Sequence, residues 1–159
     1  MLTIRDAGVD DAAACAAIYA PYVRDTVISF EEHPPSAAEM ADRMAAAHAW
    51  LVGEDGGRIV GYAYAGRFND RHAYRYACTV SVYLETGRRR TGAGRALYEA
   101  LFPRLRARGF LRAAAGITLP NAASVGLHAT LGFAPIGTFP RVGWKFDDWH
   151  DVAWMQRDL

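Results

Sequence analysis

The chain has 159 residues, of which 52% are hydrophobic and 22% are charged. This length and composition predict one globular domain that spans residues 1–159 and buries a substantial core. Lysine and arginine (18) nearly cancel aspartate and glutamate (17), which argues against a nucleic-acid-binding or membrane-surface protein. Because the N-terminal residues include acids and no apolar run approaches ~18 residues, we expect a cytoplasmic protein without a signal peptide or membrane span.

The sequence alternates strand and helix patterns along its length. Ser36 and Glu39 form a capping box at a helix start, and Asp55-Gly56-Gly57 predicts the turn of a β-hairpin. The predicted elements are a strand at 2–5, a helix from residue 10 to Pro21, a helix at 36–48, strands at 50–54, 58–66 and 75–84, a helix at 92–108, a strand at 111–118, a helix at 121–132, and strands at 133–139 and 151–158. This order predicts an α/β fold built on one mixed sheet.

Residues 89–94, Arg-Arg-Thr-Gly-Ala-Gly, follow a predicted strand and open a predicted helix. Glycines let backbone N–H groups approach an anion, and a helix N-terminus adds unsatisfied donors and partial positive charge. The Gly-Lys-[Ser/Thr] ending of a P-loop is absent, and so is the acid that follows GxGxxG in dinucleotide-binding folds. The segment therefore favours a phosphate-bearing ligand other than ATP or NAD, with a solvated arginine-rich loop as the alternative.

Arg89, Gly92 and Gly94 occupy the defining places of the motif [Gln/Arg]-x-x-Gly-x-[Gly/Ala], so the segment resembles the GCN5-related N-acetyltransferase (GNAT) family. The resemblance implies a mixed, mostly antiparallel α+β sheet with a splayed fourth and fifth strand and about four helices. It also implies acetyl-CoA as cosubstrate, with the pyrophosphate on this loop and the pantetheine arm along the preceding strand. The implied acetyl-CoA-binding residues are Val82, Tyr83, Leu84, Arg89, Arg90, Thr91, Gly92, Ala93, Gly94, Arg95, Asn121 and Ser124.

Nearly the whole chain is similar to the phosphinothricin and methionine sulfone/sulfoximine acetyltransferase subgroup. The matching segments are 18–19, 29–30 with Pro34, 61–66, 73–74, 82–83, 90–94, 119–125, His128 with 131–133, 143–145 and 149–152. This resemblance implies a homodimer. It also implies that the substrate is a small amino-acid-like amine, such as phosphinothricin, methionine sulfone or sulfoximine, or another L-amino acid analogue.

The catalytic base is the point at which this sequence departs from the subgroup. There the base is a glutamate four residues before the tyrosine that Tyr83 matches, and here that position is Thr79. A threonine hydroxyl cannot take a proton from an amine at neutral pH. His128 matches a subgroup histidine and is our first candidate for the base, because histidine titrates near neutral pH; packing on a helix face is its alternative role. The other candidates are His72, Glu31 and Glu32.

Seven positions complete the expected site. Arg71 and Tyr74 match substrate-site residues of the subgroup, and an arginine fork suits a carboxylate or phosphinate. Phe30 is expected to line the substrate pocket or to pack in the core. Tyr83 is expected to face the thioester or to pack in the sheet. Trp144, Lys145 and Trp149 are expected in a late loop that closes over the site or meets a partner subunit.

Three functions stay open on the sequence alone. The first is N-acetylation of a small amino-acid-like substrate with acetyl-CoA. The second is acetylation of a protein N-terminus or lysine, and the third is an acyl-CoA-binding module that lost catalysis together with the glutamate. Cys15 and Cys78 show neither metal-ligand spacing nor a disulfide framework, and we expect no metal.

Overall fold

The structure is a computed structural model that describes residues 1–88 and 91–159. The strands form one seven-stranded sheet with the order β1-β2-β3-β4-β5-β7-β6. The elements are β1 (Thr3–Asp6), α1 (Ala12–Asp25), α2 (Ala37–Ala46), β2 (Ala49–Asp55), β3 (Arg58–Arg67), β4 (Ala77–Leu84), α3 (Ala93–Ala107), β5 (Arg112–Thr118), α4 (Ala122–Thr130), β6 (Ala134–Lys145) and β7 (Asp148–Asp158). Their order along the chain is the predicted one, and the α/β fold with a mostly antiparallel sheet is confirmed.

The sheet carries its helices on both faces. On one face, Trp50 and Tyr62 of β2 and β3 pack with Tyr19 and Val23 of α1 and with Met40 of α2. On the other face, the leucines of α3 at positions 97, 101 and 105 are fully buried against alternate residues of β3, β4 and β5. Because strand side chains alternate between faces, each strand contributes to both cores.

The β4–β5 pair is parallel, whereas the other strand pairs are antiparallel. Within the described residues, β4 and β5 pair at three positions, from Ala77 opposite Arg112 to Thr79 opposite Ala114. Beyond Thr79 the strands separate, although β4 stays paired to β3 as far as Leu84. The splayed pair that the resemblance implied is therefore confirmed.

Two glycines close the hairpin between β2 and β3. Gly56 and Gly57 have φ of 59° and 75°, which is the left-handed pair that a type I′ turn requires. The helix caps also follow the sequence, because Ser36 accepts the backbone N–H of Glu39 and Asn121 accepts that of Ser124, each at 3.1 Å.

The predicted end of the first helix at Pro21 is wrong. Helix α1 continues to Asp25 with Pro21 inside it. Proline removes one helix hydrogen bond and costs about 3 kcal/mol in a helix interior. Ile18, Tyr19 and Val23 are buried on both sides of the proline, so the packing of this face on the sheet outweighs that cost.

The predicted late loop is also wrong, because residues 134–158 form a long hairpin. Strands β6 and β7 pair through Trp144 opposite Trp149 and Lys145 opposite Asp148. The connection is Phe146-Asp147, with φ of 53° and 57°. A type I′ turn without glycine carries little sequence signal, which explains why strands predicted at 133–139 and 151–158 were too short.

Candidate active site

The separation of β4 from β5 opens a small cleft of about 60 Å³ through the sheet. Residues of β4, β5 and α4 line it, together with Ile28 from the segment after α1. The predicted site residues among them are Val82, Tyr83, Asn121, Ser124 and His128. The structure therefore brings five predicted residues from two separate elements to one opening.

The predicted phosphate loop leads from the end of β4 into α3. Gly92 is exposed, has φ of 77° and is the residue before the first helical residue, Ala93. The first N–H groups of a 15-residue helix lack intrahelical acceptors, so this end of α3 can bind an anion. Thr91 is exposed beside it, and Gly94 is buried in the first turn. The predicted contacts of Arg89 and Arg90 lie outside the described residues.

Nearby arginines already have acidic partners. Arg95 forms an exposed ion pair with Glu99 at 2.7 Å. Arg88 pairs with Asp55 at 3.1 Å and with Glu85 at 3.4 Å. The exposed pair of Arg95 contributes little stability, so its guanidinium can exchange partners when an anion binds, whereas the pairs of Arg88 are half-buried.

His128 is buried in the cleft wall with both ring nitrogens engaged. Its Nδ1 lies 2.7 Å from the carbonyl oxygen of Ser124, which can only accept a hydrogen bond. The proton is therefore on Nδ1, and Nε2 accepts from the Tyr98 hydroxyl at 3.0 Å. Burial lowers the pKa of His128, against a smaller opposing effect of the Ser124 hydrogen bond. The ring is neutral at neutral pH, and it contacts the cleft together with Tyr98.

Tyr83 packs in an aromatic cluster on the α1 side of the sheet. Its ring centroid lies 4.9 Å from that of Tyr19, 5.2 Å from that of Tyr22 and 5.6 Å from that of Tyr62. Burial raises the pKa of Tyr83 well above its usual range. The phenol therefore stays protonated, and the residue borders the cleft along β4.

Thr79, Ser81 and Tyr83 occupy alternate positions of β4, so their side chains lie on one face of the strand. This is the face that α1 and α2 cover. In the β3–β4 register, Thr79 lies opposite Gly66 and Ser81 lies opposite Tyr64. Ser81 borders the cleft, and its hydroxyl lies close to that of Tyr64. This face of β4 thus presents hydroxyl groups, and no carboxylate stands at position 79.

Glu31 is a weak alternative base in this geometry. Arg43 donates two hydrogen bonds to its carboxylate, at 2.5 and 2.9 Å, and Tyr19 donates a third. The guanidinium of Arg43 lowers the pKa of Glu31, with a smaller contribution from Tyr19. A carboxylate stabilised in its charged form is a poor proton acceptor. Glu32 and His72 are exposed, and neither lines the cleft.

The three predicted substrate residues lie on two different segments. Phe30 is 38% exposed and lies against Gly143 of β6, where an added Cβ would overlap its ring. Arg71 and Tyr74 lie in the exposed β3–β4 connection, and the Tyr74 ring lies 5.4 Å from that of Phe68. None of the three lines the β4–β5 cleft.

Lys145 anchors the segment that leads to Phe30. Its buried ammonium donates to the backbone oxygens of Val23, Thr26 and Ser29 at 2.7, 2.8 and 2.7 Å. The ammonium group has three donors on one nitrogen and can rotate, so it can donate to three carbonyls that converge on one point. A planar guanidinium could not match this arrangement. The residue fixes the end of α1 relative to the β6–β7 hairpin and so sets where the following segment lies.

Sequence reasoning missed Tyr98 and Ser81. Tyr98 lies next to Leu97 on an apolar helix face, so its position indicates core packing, and only the hydrogen bond to His128 reveals its polar end. Ser81 alternates with valines in β4 and carried no spacing signal.

The described residues hold no cluster of three or more His, Cys, Asp or Glu side chains that could bind a metal. In the same part of the chain, no helix has the length and apolar character needed to cross a membrane. Cys15 and Cys78 are buried and free, and burial raises the pKa of each thiol to about 12.

Comparison with known proteins identifies the family. The family model for an acetyltransferase (GNAT) domain matches residues 4–154. The chain is 37% identical over 159 residues to phosphinothricin N-acetyltransferase of Streptomyces viridochromogenes, covering 98% of this chain and 87% of that protein. It is 38% identical over 165 residues to L-methionine sulfoximine/L-methionine sulfone acetyltransferase of Pseudomonas aeruginosa, covering 99% and 94%.

A solved structure agrees with these relatives. The phosphinothricin acetyltransferase of Sinorhizobium meliloti in complex with acetyl-CoA superimposes with a TM-score of 0.94 at 39% identity, covering 99% of this chain and 88% of that chain. The fold, the split between β4 and β5, and these similarities over nearly the full length agree: the chain belongs to the GNAT family of acetyltransferases.

Proposed function

We propose that this protein transfers the acetyl group of acetyl-CoA to the amine of a small amino-acid-like substrate. The observation that carries the proposal is the β4–β5 cleft, whose lining residue Val82 also lies beside Gly94 in the first turn of α3. The names of the relatives support this substrate class, and acetyl-CoA is present in the S. meliloti structure. The proposal treats residues 1–159 as one cytoplasmic acetyltransferase domain.

The free backbone groups of the site fit an acyl-CoA. Beyond Thr79, the β5-facing backbone groups of β4 have no strand partner among the described residues, so an amide-bearing pantetheine arm can pair with the backbone of Val82 and the N–H of Leu84 and pass Tyr83 between them. The N–H groups at 93–95 and the glycine conformation at Gly92 suit the pyrophosphate. Arg89, Arg90, Thr91, Asn121 and Ser124 complete the proposed contacts.

When bound, acetyl-CoA supplies a thioester whose C–S bond breaks as the amine nitrogen forms the new amide bond. Backbone N–H groups of β4 near Val82 are placed to hold negative charge on the carbonyl oxygen. The proton lost by the amine balances the proton needed by the departing thiolate. On the face of β4 where we place the amine substrate, Thr79 and Ser81 carry hydroxyl groups, and position 79 has no carboxylate.

His128 and Tyr98 form the proposed polar wall of the cleft beside the departing thiolate, which takes up the proton that the amine loses. Tyr98 and His128 both border the cleft, and Nε2 of His128 holds the Tyr98 hydroxyl. His128 therefore acts through Tyr98 on groups in the cleft. Tyr83 supports the strand edge by packing, and Phe30, Arg71 and Tyr74 stay the proposed contacts of the substrate.

A homodimer is part of the proposal. The β6–β7 hairpin exposes large apolar side chains, each more than half accessible. They are Ile136, Phe139, Val142, Trp144, Phe146 and Trp149. Several exposed apolar side chains on one hairpin are typical of a subunit interface.

A substitution at Gly92, whose backbone conformation favours glycine, tests the proposed acetyl-CoA site. Valine at a φ of 77° is strained, so Gly92→Val should weaken acetyl-CoA binding roughly tenfold in a calorimetric titration. Gly109→Val is the matched control, because Gly109 has φ of 90° at the other end of α3, far from the loop. Equal loss of affinity in both variants would contradict the placement of the pyrophosphate.

The alternative of a catalytically silent acyl-CoA-binding protein is favoured by one observation, the hydroxyl at Thr79. Thiol release from acetyl-CoA with a panel of L-amino acids separates the two functions. Turnover supports the transferase, and tight acetyl-CoA binding without turnover at pH 7 and pH 9 supports the binding protein.

A further inference from the structure

A second and larger cleft, of about 430 Å³, lies on the α1–α2 face of the sheet. Its floor is the aromatic surface of Trp50, Tyr62 and Tyr64, and its α2 wall includes Met40, Ala46 and Ala47. Its volume falls in the range of small-molecule sites. None of the residues predicted from the sequence lines it.

The floor consists of three nearly parallel rings. The Trp50 centroid lies 4.4 Å from that of Tyr64 and 5.2 Å from that of Tyr62, with interplanar angles of 13° and 12°. The rings stack on one another, with Trp50 and Tyr62 only 7% and 1% exposed, so the floor is rigid and can pair with a further ring edge-to-face.

The charged groups at the rim are already paired. Arg43 binds Glu31, and Arg67 binds Asp70 at 3.2 Å. The Arg67–Asp70 pair is largely exposed, with side chains 67% and 93% accessible, so it can yield to another carboxylate at little cost. The lining of the cleft thus combines rings and methyl groups with phenol hydroxyls, whereas its rim offers a guanidinium.

The aromatic cleft adjoins the reaction centre. Tyr64 and Gly66 line it, and they lie directly opposite Ser81 and Thr79 on the neighbouring strand, about 5 Å away. Ser81 in turn borders the β4–β5 cleft. A Cβ at Gly66 would lie 3.5 Å from the Thr79 hydroxyl, which is an ordinary contact distance, so the two positions adjoin across the strand pair. A group held in the aromatic cleft can therefore present an amine at Ser81 and Thr79.

We infer that the aromatic cleft receives the side chain of the acceptor, and that the preferred acceptor is an amino acid with an aromatic side chain. This inference rests on the proposed function. The ring lies between the aromatic floor and Ala46, the α-carboxylate lies at the rim beside Arg67, and the α-amine points toward β4.

The experiment compares L-phenylalanine and L-tryptophan with L-alanine, which has the same amine and carboxylate but no ring. Thiol release from acetyl-CoA gives kcat/KM for each, and we expect the aromatic acceptors to exceed alanine at least tenfold. Equal or better turnover of alanine would overturn the inference and leave the proposed function standing. Absence of acetylation of every amine, with acetyl-CoA bound, would overturn both.

A second experiment fills the aromatic cleft with a larger side chain. Ala46 lines the cleft from the last turn of α2, whereas its exposed neighbour Ala45 does not. Ala46→Trp should lower kcat/KM for L-phenylalanine at least tenfold and leave that for L-alanine nearly unchanged, and the matched Ala45→Trp should change neither. An equal loss on both substrates in Ala46→Trp, with an unchanged melting temperature, would contradict the assignment. Ala46→Phe repeats the test if the tryptophan variant is unstable.

Discussion

At the scale of single residues, we expect position 79 to decide how the amine loses its proton. Thr79 lies on the face of β4 that α1 and α2 cover, opposite Gly66, and its hydroxyl cannot act as a base at neutral pH. The neighbouring Ser81 and Tyr64 add hydroxyls and no carboxylate. Acceptor deprotonation is therefore left to solvent or to weakly basic groups.

A carboxylate introduced at this position should accelerate the reaction. Gly66 leaves room beside Thr79, so Thr79→Glu should raise kcat/KM for an amino-acid acceptor at pH 7 by about tenfold or more. Thr79→Gln has the same size without the charge and is the matched control. If both variants behave alike in the thiol-release assay, position 79 does not govern proton removal.

His128 links the site to the pH dependence of stability. Burial lowers its pKa, so below the unfolded-state pKa near 6.5 the unfolded chain binds more protons than the folded one. Its contribution to stability is therefore present above pH 6.5 and is lost as the pH falls toward the folded-state value.

Urea denaturation of His128→Gln tests this prediction. The variant should lose about 1–3 kcal/mol at pH 8, because the Tyr98 and Ser124 contacts are disturbed. Its deficit relative to the wild type should shrink between pH 8 and pH 5.5. The exposed His72→Gln should follow the wild type at both pH values. A constant deficit across this range would contradict a neutral, buried His128.

Residue types predicted much of the site, but not its contacts. The positions of Val82, Asn121, Ser124 and His128 at one cleft agree with the sequence prediction. The hydrogen bond between Tyr98 and His128 joins residues 30 positions apart on two helices, and no local pattern encodes it. The roles of Phe30, Arg71 and Tyr74 stay predictions.

At the scale of elements, the β6–β7 hairpin holds the segment after α1 in place. Lys145 donates to the carbonyl of Val23 in α1 and to those of Thr26 and Ser29 in this segment, and Gly143 leaves space for Phe30. The sequence predicted a loop here because the turn at 146–147 lacks glycine and the partly exposed strands lack a clean alternation. The continuation of α1 past Pro21 could not be predicted from the local sequence either, because packing against distant residues outweighs the effect of the proline on the helix.

The contact between the hairpin and Phe30 makes a prediction about the substrate. Gly143→Ala places a methyl group where the Phe30 ring lies, so the ring must move. We expect kcat/KM for the amine to fall by about tenfold to a hundredfold, with the acetyl-CoA Kd unchanged. Gly137→Ala on the same strand is the matched control, because its Cβ meets nothing within 4 Å. Equal kinetics in the two variants would exclude a role of Phe30 in acceptor binding.

At the scale of the whole molecule, the order of strands and helices was predictable because glycine turns, caps and leucine periodicity are local signals, whereas the splayed strands were implied only by the resemblance to the GNAT family. The exposed apolar side chains of the β6–β7 hairpin were not predictable as an interface, because they indicate one only once β6 is known to lie at the edge of the sheet. This edge is the surface that we assign to the homodimer.

A charge on the hairpin should separate the subunits. Phe139 is 58% exposed on β6, and Phe139→Glu should convert a particle of twice the chain mass to one of the chain mass in sedimentation velocity. Val9→Glu changes an exposed apolar residue far from the hairpin and should leave the mass unchanged. A wild-type chain that sediments as a monomer at micromolar concentration would refute the dimer.

The most direct test of the central claim is acetyl transfer itself. The purified chain is incubated with acetyl-CoA and a panel of L-amino acids that includes phosphinothricin, methionine sulfone and L-phenylalanine, and thiol release is recorded beside the mass of the amine product. The account predicts thiol release matched one-for-one by an N-acetylated amino acid. Acetyl-CoA binding without any N-acetylated product would contradict it.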